Sequence, residues 1–204
     1  MPGKKDEVRA YHHGDLRNAL VEAAVTAARV NGPEAVVVRD MARQIGVSHN
    51  AAYRHFASRE DLLTAVAEVG LGGLAAAMRE ELASAPRRRD PAERARRRLR
   101  AIGRAYVSYA IAEPGLFRTI WAAAQYPSAQ AEMSDPYLIL NAVLDELVDT
   151  GAIPASHRPY SETVAWSAVH GLSMLVINGP LAGTPPAEIE RALNRLCDVI
   201  DAGL

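Results

Sequence analysis

The amino-acid sequence predicts an all-α protein. Apolar residues recur at helical spacing along nearly the whole chain, and no segment shows the alternating pattern of a half-buried strand. The β-branched run at residues 36–38 is too short to form a strand by itself. Helix caps and helix breakers divide the chain into about nine helices. We therefore expect an N-terminal three-helix unit that contains a helix-turn-helix, joined to a C-terminal helical bundle.

Local signals bound the N-terminal helices. Gly32-Pro33 ends the first helix, Ser48 is a good N-cap for the third, and Ser58 caps a long fourth helix with acidic residues in its first turn. The predicted helices cover residues 15–31, a short stretch around 41–45, then 49–55 and 58–82.

Longer helices follow a loop at residues 85–91, which is rich in proline and charge. Asp90 caps the fifth helix, and Glu113-Pro114-Gly115 ends it. The remaining helices are predicted at residues 116–124, 136–150, 160–178 and 186–201. We place a domain boundary at residue 60, so that residues 1–60 and 61–204 form the two domains.

Composition narrows the class of protein. The 204 residues are 49% hydrophobic and 23% charged, which is typical of a globular chain. The single cysteine, Cys197, excludes an intrachain disulfide framework and a cysteine-rich zinc site. The first residues lack the pattern of a secretion signal, and the most apolar stretch, residues 163–177, is shorter than a membrane span. We expect a cytoplasmic protein that does not enter a membrane.

Charge is distributed unevenly along the chain. Residues 1–104 contain 19 basic and 13 acidic residues, a net charge of +6, and the remainder contains 4 basic and 11 acidic residues, a net charge of −7. This asymmetry suggests that the N-terminal part faces a polyanion. Nucleic acid is the first partner to consider.

The segment from Val37 to Phe56 has the spacing of a helix-turn-helix. Two short helices joined by a glycine turn place the second helix in the major groove of DNA. The residues Gly46-Val47-Ser48 and Tyr53-Arg54-His55-Phe56 resemble the pattern of the TetR family of dimeric bacterial transcription regulators. The resemblance extends to residues 12–17 and 58–63, and so covers the first sixty-odd residues.

Several polar side chains in this segment are candidates for contact with DNA. His49, Asn50 and Tyr53 lie toward the N-terminal, solvent-facing side of the third helix, where they can reach base edges and phosphates. The resemblance implies phosphate contacts for Tyr53, His55 and Arg59. The full candidate set is Arg39, Ser48, His49, Asn50, Tyr53, Arg54, His55 and Arg59.

The C-terminal part resembles a TetR subgroup named for a Trp-His-Gly element, here Trp166, His170 and Gly171. The resemblance implies a domain that senses a ligand and dimerises. Residues 164–177 are apolar on nearly all sides, which independently predicts that one face of this helix packs inward and the other packs against a partner. We expect a homodimer through the last two long helices.

Aromatic side chains suggest a pocket for a small effector of mixed, mainly apolar character. No basic cluster favours a strongly anionic effector, and no cofactor, metal or catalytic residue is predicted. The alternative is that these aromatic residues are plain core. The candidate pocket residues are Tyr106, Tyr109, Phe117, Trp121, Tyr137, Trp166, His170 and Met174.

These observations predict a ligand-responsive repressor that binds a palindromic operator as a dimer and is released by a small molecule. One alternative is a DNA-binding dimer without an effector. Another is a small all-α enzyme that uses His170 with Glu162 or Asp145, although no nucleophile or metal-ligand spacing supports it.

The arginines at residues 94–104 are interpreted as a solvated helix face, with a second nucleic-acid site as the alternative.

Overall fold

A computed structural model describes residues 4–85, 89–124 and 135–203 of the protein. Within these ranges the chain forms nine α-helices and no β-strand, which confirms the all-α prediction. Two short 3-10 turns, Pro33–Ala35 and Ala155–His157, were not predicted. The α-helices are α1 Lys4–Asn31, α2 Val38–Gln44, α3 His49–Tyr53, α4 Arg59–Ser84, α5 Pro91–Ala112, α6 Pro114–Ala123, α7 Asp135–Asp149, α8 Ser161–Ile177 and α9 Pro186–Gly203.

Side-chain caps fix several helix starts where the sequence predicted them. The hydroxyl oxygen of Ser48 accepts from the amide of Ala51 at the start of α3, at 3.2 Å. Ser58 and Asp61 form a reciprocal capping box before α4, with each side chain accepting from the other's backbone amide. The carboxylate of Asp90 accepts from the amide of Ala92 before α5. Helix α1 begins earlier than predicted, because residues 4–11 include good helix formers.

The chain divides into two compact units. The N-terminal unit comprises Met1–Gly70 and Glu113–Glu132, and the C-terminal unit comprises Leu71–Ala112 and Met133–Leu204. These units are defined by packing and do not coincide with the domains predicted from sequence, since α6 groups with the N-terminal unit. The boundary between Gly70, in the N-terminal unit, and Leu71, in the C-terminal unit, falls inside α4.

The N-terminal unit has a continuous apolar core formed by α1 to α4 and α6. Phe56, Leu62 and Leu63 are almost fully buried in it, and Leu116 of α6 joins the same cluster. Gly115 explains how α6 approaches so closely. A Cβ atom at this position would lie 2.1 Å from the carbonyl oxygen of Ala28, so only glycine lets α6 begin against the backbone of α1.

The C-terminal unit is organised around α5, which contacts α7, α8 and α9. The apolar stripe of α5 is buried, including Ala95, Leu99, Ile102 and Tyr106. Helix α4 is long and apolar enough to cross a membrane by length and composition alone. Half of its most apolar window is buried inside the protein, which is the usual pattern of a core helix.

Candidate functional site

The turn between α2 and α3 is built by local sequence. Gly46 has a φ of +74°, a left-handed conformation that favours glycine. The amide of Val47 then donates to the carbonyl oxygen of Ala42 at 2.9 Å, which closes the turn. Met41 and Ala42 are buried on α2, and Ala52 is fully buried on α3. The helix-turn-helix is therefore held from its inner side by small and apolar side chains.

The outer side of α3 presents polar side chains to solvent. His49, Asn50 and Arg54 are exposed, and Tyr53 exposes 38% of its surface although it is aromatic. Ser48 and Arg39 are also exposed, whereas His55 and Arg59 are half-buried. Exposed phenol, amide, imidazole and guanidinium groups can form hydrogen bonds with base edges and phosphates.

Arg59 has a structural partner that the sequence did not reveal. One of its Nη atoms donates to the carbonyl oxygen of Pro33, in the 3-10 turn before α2. Because a guanidinium has five N–H donors, this bond uses only part of its capacity. Arg59 thus ties the start of α4 to the loop that leads into the helix-turn-helix.

Arg17 is a basic residue near this surface that is not among the predicted DNA-contact residues. Its guanidinium carbon lies 5.1 Å from the centre of the Phe56 ring, in a cation–π arrangement. Arg17 is exposed on α1, and Phe56 follows α3 closely in the chain. The contact joins two distant segments, so no local pattern could have indicated it.

The basic excess of the first 104 residues does not belong to the N-terminal unit as a whole. The two segments of the N-terminal unit hold 10 basic and 11 acidic residues, a net charge of −1. The arginines of α5 lie in the C-terminal unit, where Arg98 and Arg94 pair with Glu146 at 3.2 and 3.6 Å. Arg100 pairs with Asp198 at 2.7 Å. These arginines connect α5 to α7 and α9, so the net charge of residues 1–104 does not locate a DNA-binding surface.

Four of the eight predicted pocket residues form one contiguous cluster in the C-terminal unit. Nε1 of Trp166 donates to the Tyr106 hydroxyl at 3.0 Å, and that hydroxyl lies 3.0 Å from Nδ1 of His170. The rings of Tyr137 and Trp166 have centroids 5.7 Å apart. Burial lowers the pKa of His170 and raises the pKa of Tyr106 above its ordinary value.

The other predicted pocket residues lie elsewhere. Phe117 and Trp121 pair edge-to-face within the N-terminal unit, with ring centroids 6.1 Å apart. Tyr109 packs beside Gly73 of α4. A Cβ atom added at Gly73 would lie 2.9 Å from the hydroxyl oxygen of Tyr109. Met174 is half-buried on α8.

A cavity of about 40 Å³ lies in the C-terminal unit, where α4, α5, α7, α8 and α9 meet. Of the predicted residues, only Tyr106 and Trp166 line it. Most of its wall is aliphatic and comes from helical positions outside the set of predicted pocket residues. The lining residues are Met78, Leu99, Arg100, Ile102, Gly103, Tyr106, Pro136, Leu140, Ala165, Trp166, Val169, Cys197, Ile200 and Asp201.

The acidic partners considered for His170 are engaged with Arg158. Nε of Arg158 donates to Asp145 at 2.7 Å, and one of its Nη atoms donates to Glu162 at 2.9 Å. Among the residues that the structure describes, no group of three or more His, Cys, Asp or Glu side chains is placed to hold a metal ion.

Comparisons with known proteins agree with this architecture. A family model described as bacterial regulatory proteins of the tetR family matches residues 20–66, which contain the helix-turn-helix. A second family model, described as the C-terminal domain of tetracyclin repressor-like proteins, matches residues 99–200. The Trp-His-Gly subgroup stays a prediction. A comparison with curated proteins gives no match.

Solved structures share the fold over almost the full chain. A protein of unknown function from Rhodococcus sp. RHA1 is 30% identical with a TM-score of 0.70, covering 95% of this chain and 97% of its own. A TetR family transcription regulator from Marinobacter aquaeolei VT8 is 25% identical with a TM-score of 0.60, and the coverages are 89% and 93%.

FadR from Bacillus subtilis, solved in complex with stearoyl-CoA, is 15% identical with a TM-score of 0.64, covering 91% of this chain and 98% of its own. At this identity the likeness concerns the fold alone. The two family models together account for both parts of the chain, and the C-terminal model alone spans half of it. The chain therefore belongs to the TetR family of transcriptional regulators.

Proposed function

We propose that this protein is a ligand-responsive repressor that binds a palindromic DNA operator as a homodimer in the cytoplasm. The observation that carries the proposal is the polar, exposed face of α3, on which His49, Asn50, Tyr53 and Arg54 project from a helix anchored by buried Ala52. A helix of this kind is placed N-terminus first in the major groove by helix-turn-helix proteins. In this proposal residues 1–60 bind DNA.

Helix α8 supports the proposed dimer. Its inner face buries Ala165, Val169 and Ser173, whereas Val164 and Leu175 remain 52% and 43% exposed. Gly171 lies between these two exposed side chains, and nothing lies within 4 Å of the position that its Cβ would occupy. An exposed apolar strip with a glycine at its centre suits close packing against the same helix of a second copy.

Helix α4 supplies a direct connection for regulation. Leu62 and Leu63 belong to the core of the N-terminal unit, and Met78 of the same helix lines the cavity of the C-terminal unit. In the proposal residues 61–204 bind the effector and dimerise. A small, mainly apolar effector releases the operator only through its different affinity for the DNA-competent and incompetent states.

The second candidate function is a DNA-binding dimer without an effector. The size of the cavity favours it, since about 40 Å³ is well below the roughly 150 Å³ of an apolar protein cavity that binds benzene. An effector of that size or larger would have to move the wall side chains.

The proposal is tested by selecting duplexes from a random pool with the full-length protein. We expect enrichment of a palindrome whose half-sites lie about one helical turn, roughly 34 Å, or a multiple of it apart. Footprinting and light scattering on the selected complex then give the protected length and the number of chains. Failure to enrich any sequence would contradict DNA recognition, and a monomer at micromolar concentration would contradict the dimer.

A further inference from the structure

The walls of the cavity in the C-terminal unit determine which kind of molecule it can bind. The inference drawn from them rests on the proposed function, in which the protein responds to an effector. Leu99, Ile102 and Val169 contribute aliphatic surface, and Ile200 closes the side formed by α9. All four side chains are buried. Cavities with such walls accept apolar atoms or molecules.

The polar groups along the wall are already bonded to one another or to neighbours. Nε of Arg100 donates to Asp201 at 2.7 Å, and Nη1 of the same side chain donates to Asp198 at 2.7 Å. The Tyr106 hydroxyl accepts from Trp166 and is bonded to His170. A charged molecule in the cavity would lose its hydration, and the charged side chains at the wall are already paired with one another. The free-energy cost of burying the charge therefore excludes a charged molecule from the cavity.

Gly103 keeps part of this space open. A Cβ at position 103 would lie 3.6 Å from Cγ1 of Val169 and 3.8 Å from Sγ of Cys197, which is ordinary van der Waals contact. Alanine would therefore fit without a clash, and its helix propensity is higher than that of glycine. Glycine at this position leaves a methyl-sized volume at the wall.

From these contacts we infer that the cavity binds a small, uncharged, apolar molecule and that Gly103 determines how much room it has. The occupant touches the aliphatic faces of α5, α8 and α9. It makes no ion pair with Arg100 or Asp201, because these two residues pair with each other.

Xenon, iodide and caesium test this inference, because they have the same number of electrons and differ in charge. Crystals of the full-length protein are pressurised with xenon or soaked in caesium iodide, and anomalous scattering locates each species. We expect xenon, and neither ion, in the cavity. The Gly103→Ala variant should bind xenon at least about tenfold more weakly in solution, measured by xenon NMR, since one methyl group in an apolar pocket changes affinity roughly 10- to 200-fold.

Gly72→Ala is the matched control. It makes the same substitution in an α-helix, but nothing lies within 4 Å of the added Cβ and the position is exposed. Xenon binding to this variant should equal that of the unmodified chain. If Gly103→Ala does not fold, Val169→Leu adds a methylene to the same wall and replaces it. An empty cavity under xenon, an ion inside it, or undiminished binding in both cavity-filling variants would overturn the inference.

The same proteins are tested on the selected duplex, which separates this inference from the proposed function. Absence of xenon from the cavity with intact duplex recognition contradicts the inference alone. Loss of duplex recognition by the unmodified chain contradicts the proposed function, whatever the cavity binds.

Discussion

The Tyr106 hydroxyl lies 3.0 Å from Nδ1 of His170 while it accepts a hydrogen bond from Nε1 of Trp166. Since the indole can only donate, the Tyr106 oxygen is already an acceptor, and we assign its hydrogen to Nδ1 of the imidazole. An accepting Nδ1 is unprotonated. This arrangement and burial both favour the neutral form of His170, and burial lowers its pKa.

This contact predicts that acidification destabilises the protein through His170. The pKa of His170 is lower in the folded state than its ordinary value of about 6.5, so the unfolded state binds more protons between these two values. The free energy of unfolding should therefore fall as the pH decreases through about 6.5 and level off below the folded pKa. Urea unfolding across this range measures it. His170→Gln should show a shallower dependence, and an identical pH profile would contradict the prediction.

Substitutions on α3 should separate base reading from phosphate contact. Tyr53→Ala and His55→Ala should weaken binding to every duplex, because phosphates are common to all sequences. His49→Ala and Asn50→Ala should cost roughly 1 to 3 kcal/mol more on the selected operator than on random DNA. Fluorescence anisotropy with both duplexes gives the ratio of affinities. Equal losses on the two duplexes for His49→Ala and Asn50→Ala would show that these residues do not read bases.

Gly115→Ala should destabilise the N-terminal unit. Its Cβ would meet the carbonyl oxygen of Ala28 at 2.1 Å, a backbone contact that cannot be relieved by a side-chain rotation. We expect a loss of about 1 to 3 kcal/mol, typical of overpacking. Gly72→Ala is the control, since its Cβ enters open space and should stabilise α4 by up to about 1 kcal/mol. Urea unfolding of both variants measures the difference, and equal stabilities would refute the close approach of α6 to α1.

Gly171→Arg should dissociate the proposed dimer without unfolding the chain. The position is exposed, and no atom lies within 4 Å of an added Cβ, so the arginine meets no clash near its backbone within one subunit. In a dimer that packs along α8, the bulky charge would weaken association by at least about tenfold, or 1.4 kcal/mol. Analytical ultracentrifugation measures the dissociation constant. Ala76→Arg, on the exposed side of α4, is the control, and an unchanged dimer in Gly171→Arg would place the interface elsewhere.

The helix-turn-helix was predictable from sequence because its determinants are local. The Ser48 cap, the glycine turn and the capping box of Ser58 each act within five residues. The grouping of α6 with α1 was not predictable, because it depends on Gly115 meeting a carbonyl group 87 positions earlier in the chain. The net charge of residues 1–104 could not locate a binding surface, since the arginines of α5 pair with acidic residues about 50 to 100 positions later in the chain.

The candidate pocket was predicted only in part for a similar reason. Aromatic residues were selected by type, and Tyr106 and Trp166 do line the cavity. Phe117 and Trp121 belong to the other compact unit. The aliphatic wall and Gly103 have no signature in the sequence beyond that of a core position, because which helical face meets which neighbour is decided by tertiary packing.

The shortness of α3 has a consequence for how relatives diverge. A helix of five residues is too short to persist alone, and here Ser48, Ala52 and the turn before it hold it in place. The exposed positions 49, 50 and 53 of α3, and position 54 directly after it, contribute little to that support. In the proposed complex with DNA, mutations at positions 49 and 50 would therefore redirect the protein to a new DNA sequence at little cost in folding. After gene duplication, two copies could acquire separate targets before either one had to change its core.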